Sequence, residues 1–86
     1  MSPQVADIIG LAGSALFIAA FAYANLAKAM DKLWFNAANL AGAVLLLTSL
    51  SVTFNLAAFV LEAAWGLISA LGLIAAIRAR LRKVAP

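Results

Sequence analysis

Over residues 36–77, a run of 42 positions, the chain carries one charged side chain, Glu62. A soluble helical bundle needs a polar face on every helix, and this run leaves none wide enough. A stretch of about 20 apolar residues, rising about 1.5 Å per residue as a helix, crosses a hydrocarbon core of about 30 Å. Two such stretches fit into the run, and a third precedes it. In lipid every backbone N–H and C=O must be satisfied inside the chain, so each stretch must be helical.

The spans are expected at residues 8–27, 34–53 and 56–77. Asp7 and Lys28 flank the first. Residues 28–33 join the first two, with Asp31 as a helix N-cap, and Asn55 caps the third. Links this short make neighbouring helices antiparallel. The expected fold is an all-α membrane protein, one three-span domain over residues 1–86 that ends in a basic segment at 78–86. The N-terminus lacks a basic leader region, and Asp7 precedes the apolar run, so the first span reads as retained.

Composition narrows the chemistry. Of 86 residues, 67% are hydrophobic and 10% charged, against about 25% charged in ordinary globular domains. There is no cysteine and no histidine, and there are three acidic residues. Disulfides, thiolate or imidazole catalysis and a protein-built metal site are therefore not expected. Neither an enzyme nor a cofactor is indicated. Gly10 and Gly13 lie in an apolar run and read as helix-packing residues, not as a phosphate loop.

The net charge of +3 comes from residues that abut span ends, so it reads as topology and not as a nucleic-acid surface. Lys28 and Lys32 share one side with Arg78, Arg80, Arg82 and Lys83, and the opposite side has no Lys or Arg. The positive-inside rule places the N-terminus in the periplasm of a bacterial inner membrane and the C-terminus in the cytoplasm. Lipid is the first partner, and the basic end suits anionic headgroups.

Glu62 is the candidate functional residue. A carboxylate in mid-membrane costs about 2.5–3.5 kcal/mol on insertion scales, so it normally faces a protein interior or a wet cavity. Counting from the span ends puts Ser14, Thr48, Ser49 and Glu62 at one depth, with Trp65 about a turn deeper. Asn39, Gly42, Leu46, Ser49 and Thr53 form a stripe on helix 2, and Glu62, Gly66, Ser69 and Leu73 form one on helix 3. Small residues are also what membrane helices use to pack. Gly10, Ser14, Gly42, Gly66, Ser69 and Gly72 therefore read first as packing residues. Asn39 reads equally as an interhelical hydrogen bond, and Trp34 and Phe35 read as interfacial aromatics. Glu62 itself, if protonated, has Ser49 or Thr48 as possible acceptors.

The chain resembles the triple-helix unit of the SemiSWEET and PQ-loop families over about residues 8–81. Ile9-Gly10 matches the pair that opens helix 1, and Gly42 matches the helix 2 glycine. That family's substrate-contacting asparagine falls on Glu62. Its helix 1 Pro-Gln hinge falls near Tyr23-Ala24 and has no counterpart within the span. The resemblance is closer to an uncharacterised group of short bacterial inner-membrane proteins. Asp7-Ile8-Ile9-Gly10, Asn39-Leu40-Ala41-Gly42, Ser49-Leu50 with Phe54-Asn55, and Glu62 with Trp65 carry it. The SemiSWEET likeness implies helix 3 packed between helices 1 and 2, and a parallel homodimer with a solute route between two bundles.

Two functions follow. In the first, the chain is a dimeric transporter or facilitator of a small polar solute. Glu62 would hold solute or proton, Trp65 would stack on it or gate it, and Asn39, Ser49 and Ser14 would bond it. Gly42, Gly66 and Tyr23 would serve gating or packing. In the second, it is a non-transporting membrane subunit or scaffold in which Glu62 pairs with a partner helix.

Overall fold

Ser2 starts the first helix: its hydroxyl accepts the Val5 N–H at 3.2 Å, and Pro3 follows in the first turn. In this computed structural model, which describes residues 1–84, three helices follow in order. These are α1 (Pro3–Leu26), α2 (Lys32–Leu50) and α3 (Leu56–Val84). Each is long and apolar enough to cross a membrane. Asp31 caps α2 through Leu33 N–H at 3.0 Å, and Asn55 caps α3 through Ala58 N–H at 3.1 Å.

Helix α1 starts at Pro3, five residues before the expected Ile8, and two further boundaries differ from expectation. Helix α2 stops at Leu50 rather than Thr53, because the Ser51 N–H and hydroxyl both turn back onto the Thr48 carbonyl. Helix α3 continues through residues 78–84 instead of ending near Ile77. That segment has no Pro or Gly to stop it. Its Arg and Lys side chains also suit the negative end of a helix dipole. The molecule is 50 Å long, so it overhangs a core of about 30 Å. Ala85 and Pro86, the end of the expected basic segment, lie outside the described residues.

The interior is built from small side chains. Ala6, Gly13, Ala20, Asn39, Gly42, Ala43, Gly66 and Ser69 are buried. Ile8, Leu11, Ile18, Phe21, Leu67 and Ile68 point outward. Among the described residues no large side chain is fully buried. In water this arrangement would fail, since large apolar groups supply most of the burial energy. In lipid there is no such drive between helices, and small residues allow close backbone approach.

Close packing also sets the helix order. Helices α1 and α3 each pack along α2, and their backbones do not meet. At Gly42 an added Cβ would come within 2.6 Å of the Phe17 ring and 3.0 Å of the Gly13 carbonyl of α1. At Gly66 of α3 it would meet the Ala43 Cβ at 3.2 Å. Gly42 and Ala43 are adjacent, hence about 100° apart around α2. With axes about 8–10 Å apart, α1 and α3 diverge over α2 and leave a cleft between them. The SemiSWEET likeness implied α3 in the middle; the structure places α2 there, with Gly42 against α1 and Ala43 against α3.

Candidate functional site

The cleft between α1 and α3 is bridged by side chains. Phe17 of α1 and Trp65 of α3 meet with ring centroids 5.8 Å apart and planes inclined at 47°. On one side of this pair is a cavity of about 290 Å³ lined by Ser14, Phe17, Leu46, Leu61, Glu62 and Trp65. On the other side is a larger apolar groove of about 580 Å³ that includes Phe21, Phe35 and Asn39. Both rings line both spaces, so the aromatic pair separates them.

Glu62 is half-buried, and its Oε2 is a buried oxygen without a hydrogen-bond partner. The expected bond to Ser49 or Thr48 is not formed. Ser49 instead donates to the Ala6 carbonyl of α1 at 2.7 Å. Thr48 faces outward and donates to Val44 of its own helix at 2.7 Å. Equal depth along three helices did not bring these groups to one face. A second cavity, of about 150 Å³, adjoins Glu62 toward the Asn55 end and is lined in part by Asp7, Ser49 and Thr53.

Trp65 and Asn39 form a different unit. The indole Nε1 donates to Asn39 Oδ1 at 2.9 Å, and Asn39 Nδ2 donates to the Phe35 carbonyl at 2.9 Å. This side chain pair joins α2 to α3 and takes Asn39 away from the Glu62 cavity. Ser14 lines that cavity, but its hydroxyl donates to the Gly10 carbonyl at 2.9 Å. Of the five residues expected to touch a solute, Glu62, Trp65 and Ser14 share one cavity. Ser49 reaches Glu62 through the second cavity, and Asn39 lies beyond the aromatic pair.

Gly42 and Gly66 sit at the two seams of α2. Tyr23 stands at the far end, where its hydroxyl accepts the Asp31 N–H at 2.6 Å. Asp31 also pairs with Arg80 of the α3 extension at 2.5 Å. The Arg80 hydrogen bond holds the Asp31 carboxyl below its ordinary range, over a smaller opposing effect of desolvation.

Among the lining residues not marked in the sequence are Phe17, Leu61 and Asp7. Phe17 lies three positions after Ser14, a spacing that puts both on one helix face and was available as a signal. Asp7 was read only as a span flank, but α1 begins at Pro3, so Asp7 stands within the helix and lines the second cavity. Among the described residues no group of three metal-binding side chains occurs.

Fold and site together define a small three-helix protein with the apolar lengths of a membrane protein and an unpartnered carboxyl in its interhelical cleft. Residues 6–80 match an uncharacterised protein family, and the chain belongs to it. Searches of curated proteins and of solved structures find no match.

Proposed function

We propose that the protein is a carrier of a small polar solute in the bacterial inner membrane, working as a homodimer, with Glu62 as the group that holds solute or proton. The observation that supports this is the buried Glu62 Oε2 without a partner. A buried acceptor left unsatisfied costs about 1–3 kcal/mol. Such a cost calls for an explanation, and a ligand that completes the site is one. A carboxyl holds a proton or a cationic group, not both at once, so exchange at Glu62 links the two.

The remaining parts fit around that residue. The Phe17–Trp65 pair interrupts a path along the cleft and acts as its gate. Two copies related by a two-fold axis, with their clefts facing, would shield both glutamates from lipid, and closed dimers are the commonest symmetric assembly. The SemiSWEET likeness points to the same activity, but with α2 central the route here follows the α1–α3 cleft. The basic residues at the Asp31 end support a cytoplasmic position for that end.

Vesicles loaded with the pH dye pyranine test the reading. Sugars, amino acids and amines are added in turn. The wild type is expected to move protons with at least one class, and Glu62→Gln to reduce that flux at least tenfold. Flux that Glu62→Gln leaves unchanged, or no flux with any class, overturns it. The native chain has no cysteine, so Leu61→Cys reports the assembly cleanly. Cross-linking between copies supports facing clefts. A monomer that co-purifies with a foreign membrane helix, lost on Glu62→Gln, selects the subunit reading instead.

A further inference from the structure

We propose that the Glu62 cavity takes a small organic quaternary ammonium ion rather than a sugar or an anion. This deepens the carrier reading above and rests on the same site. It follows from which groups around the cavity remain able to bond a ligand.

The one hydroxyl lining the Glu62 cavity is engaged, and of the two in the adjoining cavity only Thr53 is not. Ser14 donates to Gly10, and Ser49, beside the adjoining cavity, donates to Ala6. The Trp65 N–H is also engaged, on Asn39. A polyhydroxylated solute needs donors as well as acceptors, and these side-chain donors are already committed. What is left is an acceptor, the Glu62 carboxyl, and two aromatic rings. With its N–H tied to Asn39, Trp65 has only its ring left for a ligand, and the residue is 45% exposed. A cation within about 6 Å of a ring centroid is attracted by that face, and quaternary ammonium groups are recognised in this way.

Long-range charge points the same way. The cavity contains no basic residue. Neither residues 1–27 nor residues 33–77 contain a Lys or Arg. The adjoining cavity adds a second carboxylate, Asp7, on the path from the Asn55 end. A site lined by one sign of charge with low-dielectric walls concentrates the opposite ion and disfavours anions. Glu62 supplies the charge, Trp65 and Phe17 the apolar cage, and Asp7 the entry field.

Choline and its uncharged carbon isostere, dimethylbutanol, test this against each other and against glucose. The protein is held in lipid nanodiscs as the Trp34→Phe variant, so that Trp65 is the only indole, and its fluorescence is followed. Choline is expected to bind at least tenfold more tightly than the isostere or glucose, and Glu62→Gln to weaken choline binding at least tenfold. Equal binding of choline and the isostere in the Glu62-containing protein overturns the proposal without relying on a variant's folding. Choline binding that ignores Glu62→Gln, or no choline binding, also overturns it. The two readings fail separately. Glu62-dependent choline binding without proton flux in the pyranine vesicles keeps the ligand and removes the carrier. Glu62-dependent flux of a sugar, with no choline binding, does the reverse.

Discussion

Asp31 and Glu62 are both carboxylates at helix–helix contacts, and their surroundings are opposite. Asp31 lies at the surface and bonds Arg80, the Leu33 N–H and, through its own N–H, Tyr23. Glu62 lies in the α1–α3 cleft with a buried oxygen that bonds nothing. At the Asp31 end, polar groups tie α3 and the 27–31 loop together. In the cleft, the donors of Ser14, Ser49 and Trp65 turn to backbone or to Asn39, and the carboxyl is passed over. A buried polar group kept for stability is normally bonded, and Glu62 is the exception on which the proposed function rests.

The largest effect that tests this contrast is expected from Glu62→Leu. It removes the unsatisfied oxygen and keeps the apolar volume. Unfolding in mixed SDS micelles should show a gain of about 1 kcal/mol, while solute-dependent proton flux is lost. A loss of stability would mean that Glu62 is a bonded structural group after all.

Trp65→Phe should act in the opposite direction. It deletes the indole N–H and leaves Asn39 Oδ1 without its donor. Interhelical hydrogen bonds in membranes contribute about 0.6 kcal/mol on average and up to about 1.7, so the same assay should show a loss of that order. No loss would show that the α2–α3 seam rests on close packing, with Gly66 against Ala43 and Gly72 against Asn36.

The smallest effect belongs to Asp31, because surface ion pairs contribute little in a high dielectric. Its carboxyl is held below the ordinary value of 3.8 in the folded protein, chiefly by Arg80. Near that value the unfolded chain binds more protons than the folded one, so stability rises with pH there. The contribution is fully present above 3.8 and is lost as pH falls through the lowered folded value. Asp31→Asn should flatten the dependence in that window and leave flux at neutral pH unchanged. An unchanged slope would assign the acid response to another group.

Much of the fold was legible in local features. Asp31 and Asn55 are short polar side chains ahead of apolar runs, and both cap helices as that pattern predicts. The end of α2 was missed because Ser51 and Thr48 close the helix through a side-chain bond that hydropathy does not register. The site was legible in part. Glu62 and Trp65, three apart on one helix, do share a cavity. Ser49 was placed by depth and Asn39 by its stripe on helix 2, and neither tells which partner a side chain bonds.

Composition alone determined that this chain forms apolar helices of membrane-spanning length, because no soluble core accommodates 67% hydrophobic residues with so few charges. The sequence also marked Glu62 as exceptional, since the cost of a carboxylate in hydrocarbon holds for any arrangement. Only the tertiary structure decided that α2 is central and which polar groups are satisfied. Small residues occur on several faces of all three helices, so many pairings are compatible with the same sequence pattern. The seams Gly13–Gly42 and Ala43–Gly66, and the bond from Trp65 to Asn39 across 26 positions, select one of them. In that packing the Glu62 oxygen is left without a partner.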